Sequence, residues 1–139
     1  MGGWRTARLE EVGTAPTLSE PGYWESWTED PDFGRRWRSI RRHFGIRAFG
    51  INAQEAAAGH HLIVRHDELE LGEQEELYVI LRGRARFTCD AAEVDLGPGD
   101  LIHVAPEVTR HAVALETPTV VLMIGGTPGA PYSVPDWDA

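Results

Sequence analysis

One cysteine, Cys89, and no lysine occur among the 139 residues. A single thiol excludes an intrachain disulfide, and the lack of lysine excludes Schiff-base catalysis. No apolar run approaches the ~20 residues of a helical membrane span. No basic-then-apolar leader opens the chain. With the lone reduced thiol, these absences set a cytoplasmic location as the expectation. Positive charge is also scarce, since 13 arginines face 22 acidic residues for a net charge of −9. Bulk nucleic-acid binding needs concentrated positive charge and is therefore excluded. There is no internal repeat and no low-complexity tract. What is present, 42% hydrophobic and 25% charged residues, suits one soluble domain with its own core.

Three textures divide the chain: an N-terminal arm with a short helix over 1–45, a barrel over 46–124 and an extended tail over 125–139. The arm is rich in turn residues and carries tryptophans at 4, 24 and 27, which point to packing rather than disorder. Asp30 as cap, Pro31 in the first turn and the apolar stripe Trp37, Ile40, Phe44 predict a helix over 31–44, stopped by Gly45. The run from Arg35 to His43 is basic and amphipathic, but a helix face whose arginines meet the acid excess explains it better than a membrane or nucleic acid does. From residue 46 the period becomes two. Eight short runs follow, at 46–53, 60–66, 77–82, 84–89, 92–96, 101–105, 111–115 and 118–124, with strong turn chemistry at Gly83 and at Gly97-Pro98-Gly99-Asp100. Close-spaced strands with no helical pattern between them predict an antiparallel sandwich or barrel.

Within this region Glu76-Leu-Tyr-Val-Ile-Leu-Arg-Gly83 has the form Glu-x6-Gly. Gly99-Asp100 leads through a short strand to Pro106 and His111. These segments resemble the two motifs of the cupins, whose fold is a double-stranded β-helix, or jelly-roll barrel. The likeness is to small single-domain bacterial cupins of unassigned activity. It departs from the family at two points. The His-x-His half of the first motif is missing, and His111 stands about one residue late when counted from Gly99.

The resemblance implies a metal site inside the barrel, for Fe, Mn, Zn, Ni or Cu, with Glu76 and His111 as ligands. His66, ten residues before Glu76, substitutes for the missing pair if the acidic loop over 67–75 is long enough. Two imidazoles and one carboxylate suit such ions. Alternation puts Glu76, Tyr78 and Ile80 on one face and Leu62, Val64 and His66 on one face. It does not decide whether His66 points inward. Tyr78 and His103 are the candidates for proton transfer. Cys89 reads as a packing residue, with no cationic neighbour to activate it. Three functions stay open: a barrel binding a small polar organic ligand with or without a metal, a metal-dependent isomerase, dioxygenase or lyase, and a metal-free scaffold. A homodimer is compatible with all three.

Overall fold

Alternating apolar residues and frequent turns build nine strands among the described residues, 2–139, of the computed structural model. They are β1 (Trp37–Arg38), β2 (Gly50–Ala56), β3 (His61–His66), β4 (Glu75–Arg82), β5 (Ala85–Cys89), β6 (Ala92–Leu96), β7 (Leu101–Val104), β8 (Arg110–Ala114) and β9 (Thr119–Gly126). All pair antiparallel in two sheets, ordered β1-β2-β9-β4-β7 and β3-β8-β5-β6. The fold is an all-β jelly-roll barrel with one short helix. Every second side chain turns inward. Tyr78 and Ile80 from β4, Phe87 from β5, Ala112 and Ala114 from β8 and Val121 from β9 are each no more than 1% exposed. They close the core between the two sheets.

Gly83 turns the chain between β4 and β5 at φ 75°, and a Cβ there would collide with Thr119 and the Pro118 carbonyl. Gly83→Ala is expected to cost about 1–3 kcal/mol of unfolding free energy from the left-handed backbone, with the collision adding to it. A urea midpoint equal to wild type would contradict this.

The arm departs from expectation. Of the stretch 31–44 expected to be helical, only Ile40–Phe44, helix α1, is so. Residues 31–36 form turns, and Trp37–Arg38 pairs with β2 as an edge strand. Asp30 does accept from the Asp32 amide at 3.0 Å, as a cap would, and its carboxylate also accepts from the backbone amide of His61 and lies 3.0 Å from His60 Nδ1. Gly34 adopts φ 85°, which breaks a helix there. Gly45 does end α1, at φ 69°.

The basic run is a clasp. Arg41, buried, donates to the Asp138 carboxylate at 2.6 Å and to the Ile46 carbonyl at 2.7 Å. Arg36 reaches Glu55 at 3.4 Å. The clasp holds the C-terminal segment against the arm, where Trp137 meets Trp37 edge-on at 6.2 Å and Trp24 lies 5.4 Å from Trp37. Cys89 is half-buried with its thiol pushed up by burial, although Arg110, its register partner, is a cationic neighbour that pulls the other way. None of the described helices is long and apolar enough to cross a membrane.

Candidate functional site

A cavity of about 350 Å³ opens between the sheets beneath this aromatic layer. Its walls are mostly apolar: Trp24, Phe33 and Trp37 from the arm, Leu62 and Val64 from β3, Met123 from β9, and Trp137 from the tail. One end is polar, and four elements build it. β3 ends on His66. β4 contributes Glu76, with Tyr78 one step deeper. The loop after β3 turns Glu68 inward, held by its amide on the Pro106 carbonyl (2.8 Å) and by its own carbonyl, which accepts from Glu73 N at 2.8 Å. β8 begins with Arg110, in register with His66.

The charged groups close into a ring. Arg110 is fully buried and donates to Glu76 Oε1 at 3.1 Å and to the Ala105 carbonyl at 2.7 Å. Its guanidinium also lies 3.7 Å from Glu68 Oε2. His66 Nε2 is 3.0 Å from Glu68 Oε2 and 3.5 Å from Glu76 Oε1. Its Nδ1 donates to the Val64 carbonyl at 2.7 Å. Tyr78 donates to the same Glu76 Oε1 at 2.6 Å. Glu76 Oε2, by contrast, takes no hydrogen bond from the described residues, while the side chain keeps 15% of its surface open and lines the cavity.

Burial by itself would depress the His66 pKa, but hydrogen bonds to Glu68, Glu76 and the Val64 carbonyl outweigh it and raise the value to about 9. Burial pushes the Glu68 carboxyl up, with His66 partly offsetting it. Tyr78 is driven well above the usual phenol range by burial and by the Glu76 charge, so it stays a neutral donor. With His66 protonated, two cations face two carboxylates.

The residues expected to carry the site divide. His66 and Glu76 come together, and Tyr78 joins them. His111 does not. Arg110 and Ala112 face inward on β8, so His111 between them faces outward, opposite Thr88 of β5. Its ring centroid is 6.3 Å from that of His61, and its pKa is lowered by burial and by Arg65 and His61, groups of the outer face. The expected meeting of Glu76 and His111 inside the barrel is therefore corrected. A one-residue offset in a strand reverses the face, and the offset from Gly99 was the sign of it. His103 is corrected likewise. Val104 takes the inward position, and the His103 side chain is 59% exposed and bonded to Glu75 at 2.8 Å outside the barrel. Arg110 and Glu68 were missed. Ala112 and Ala114, in phase with Arg110, were the sign of the first, while Glu68 was one acid among six in its segment.

Residues 60–125 match the family described as Cupin domain. The barrel has the cupin fold. No curated protein matches the sequence. Among solved structures, a cupin protein from Bacteroides fragilis aligns over 100% of this chain and 97% of its own, with a TM-score of 0.64 and 17% identity. A cupin superfamily protein from Desulfitobacterium hafniense covers 59% of this chain and 69% of its own, with a TM-score of 0.51 and 23% identity. A cupin 2 conserved barrel domain protein from Salinispora arenicola covers 58% and 65%, with a TM-score of 0.51 and 17% identity. At these identities the likeness speaks for the fold alone.

The cupin barrel has a candidate donor set for a metal, since His66, Glu68 and Glu76 each bring one ligand atom within 4.8 Å of the others. Arg110 decides how well it fits. Its guanidinium occupies the carboxylate side of the set and engages Glu76 Oε1, which Tyr78 also holds. A dication entering there would meet a buried positive charge and carboxylates already neutralised. The donor set fits a closed ion-pair ring better than a resident metal.

Proposed function

We propose that this cupin binds, without a metal, a small and largely apolar organic molecule carrying one hydrogen-bond-donating group. The observation behind this is the cavity's two-part lining. Aromatic and aliphatic walls take the body of the ligand, and the free Glu76 Oε2 beside His66 is the acceptor for its polar group. The volume, about 350 Å³, lies at the small end of ligand pockets, and a few fixed polar groups in an apolar lining are their usual design. Ring-bearing molecules with a hydroxyl or N–H group fit this lining better than fully polar ones, because a polar body would lose its hydration against indole and phenyl walls.

A melting screen of the purified cupin tests the reading. A ligand at a hundredfold excess over its dissociation constant stabilises by ~2.7 kcal/mol. Hits are expected among planar hydroxylated or N–H-bearing compounds and not among sugars or polyols of similar size. Sugars alone as hits, or none in a broad library, would overturn it. The metal reading keeps one supporting fact, the convergence of three ligand atoms. Elemental analysis of untagged protein after exposure to Fe(II), Mn(II), Ni(II) and Zn(II) separates the two. Below ~0.1 ion per chain is expected, whereas a working metal site holds its ion in most chains.

A further inference from the structure

The cavity holds a second free acceptor, far from Glu76. Asn52 of β2 lines it and is 6% exposed. Its amide lies by the buried carboxyl of Asp138, in the tail. Burial pushes the Asp138 pKa up, while Arg41 and the Asn52 amide pull it down. A carboxylate takes an amide by its N–H end, so the nitrogen of Asn52 faces Asp138. Oδ1 is the end left over, and it is buried without a partner. Among the described residues, it is the one such oxygen that belongs to a residue lining the cavity. An unpaired buried carbonyl oxygen carries a free-energy penalty and is rare in native structures. The indole N–H groups of Trp24 and Trp37, on the same lining, are also buried without acceptors.

The sheet register fixes how far apart the two acceptors stand. Glu76 of β4 is opposite Gly125 of β9, and Asn52 of β2 is opposite Met123 of β9. They are two strands and two residues apart on one inner face. At about 4.8 Å per strand and about 3.4 Å per residue, their Cα atoms are roughly 12 Å apart. Met123 lines the cavity between them. We infer that the ligand spans the cavity from Glu76 to Asn52 and carries a second hydrogen-bond donor, a hydroxyl, at its far end. The inference rests on the reading of the cavity proposed above and adds the ligand's length and its second polar group. A ligand with one polar end would cover Asn52 Oδ1 and leave it unpaired. A single ring is short for the span, whereas two fused rings with donors at opposite ends match it. A hydroxyl suits the far end better than an ammonium, because it can donate to Asn52 and also accept from an indole N–H.

Isothermal titration of the intact chain with three probes tests the inference. They are 2-naphthol, 2,6-dihydroxynaphthalene and 6-methoxy-2-naphthol, which share one body. The diol is expected to bind about fivefold more tightly than 2-naphthol, the gain from one net hydrogen bond. The methoxy compound has the length of the diol without its second donor, and is expected to bind no better than 2-naphthol. Asn52→Leu keeps a similar volume and removes the acceptor. It is expected to bring the diol to within about twofold of 2-naphthol, with 2-naphthol itself binding as it does to wild type. Equal binding of the diol and 2-naphthol by wild type, or a methoxy compound as tight as the diol, would overturn the inference and leave the one-donor reading standing. A diol preference that survives Asn52→Leu would overturn it too. If none of the three probes binds, both readings fall. Should Asn52→Leu not fold, the three affinities of the wild-type chain decide by themselves.

Discussion

Arg110→Met is expected to cost about 3–5 kcal/mol of unfolding free energy at neutral pH, the range found when one partner of a buried ion pair is removed. The guanidinium is fully buried, donates to Glu76 Oε1 at 3.1 Å and to the Ala105 carbonyl at 2.7 Å, and lies 3.7 Å from Glu68 Oε2. Methionine fills much of the same volume, so the loss is mainly electrostatic rather than a cavity. Two carboxylates would then share one imidazolium. The double variant Arg110→Met/Glu76→Gln returns the ring to one cation and one anion, His66 with Glu68. It should be more stable than Arg110→Met alone, with a coupling of about 1–3 kcal/mol between the two positions. Urea unfolding of the four proteins in the cycle measures it. Additive losses would mean that Arg110 acts through packing and not through the ring. A single variant as stable as wild type would remove the reason for preferring ion pairing to metal at this site.

How much of this was legible beforehand depended on whether a residue's role was local. Glu76, Tyr78 and Ile80 were assigned to one face by counting in twos, and that face is the inner one. Gly83 and the Gly97–Asp100 turn were read from turn chemistry, and strands begin or end at both. The single barrel followed from the same alternation. Failures came where distant parts compete for a group. Asp30 does hold the Asp32 amide as a cap would, but His60 and His61, thirty residues on, share its carboxylate and only turns follow it. Arg41 looks like one charge in a solvated run until Asp138 arrives from the tail to bury it. Counting in twos also fails where the starting point is borrowed. Anchoring β8 on His111, because the cupin motif has a histidine near there, put that residue inside. The burial of Ala112 and Ala114 shows the opposite phase. Small residues at those two positions, beside a lone arginine, were a local sign of the inner face, since alanines pack where two sheets approach. Glu68 could not have been singled out, because only the loop's path over Pro106 distinguishes it from its acidic neighbours.

Stability is expected to fall as pH rises from about 6.5 to about 9, and His66 is the group responsible. Burial opposes its charge, but Glu68, Glu76 and the Val64 carbonyl overcome this and raise its pKa to about 9 in the fold. In the unfolded chain an ordinary histidine titrates near 6.5. Below about 6.5 both states carry the proton, and the imidazolium's contact with two carboxylates contributes in full. Between the two values the unfolded chain has released its proton and the folded chain has kept it, so each rise in pH favours unfolding. Above about 9 the contribution is gone. A gap of roughly 2.5 pH units at 1.36 kcal/mol each corresponds to about 3 kcal/mol. The side chain is only 14% exposed, so little of this is lost to solvent screening. His111 acts with the opposite sign at lower pH. Its pKa is depressed in the fold, so acidification below about 6.5 charges the unfolded chain first and also lowers stability. Urea midpoints between pH 6 and 9.5 for wild type and His66→Gln isolate the first term, since other titrating groups largely cancel in the difference. The wild-type advantage should shrink steadily across that range. Parallel profiles for the two proteins would mean that His66 sits neutral in the ring, and the charge balance argued for the cavity floor would fail with it.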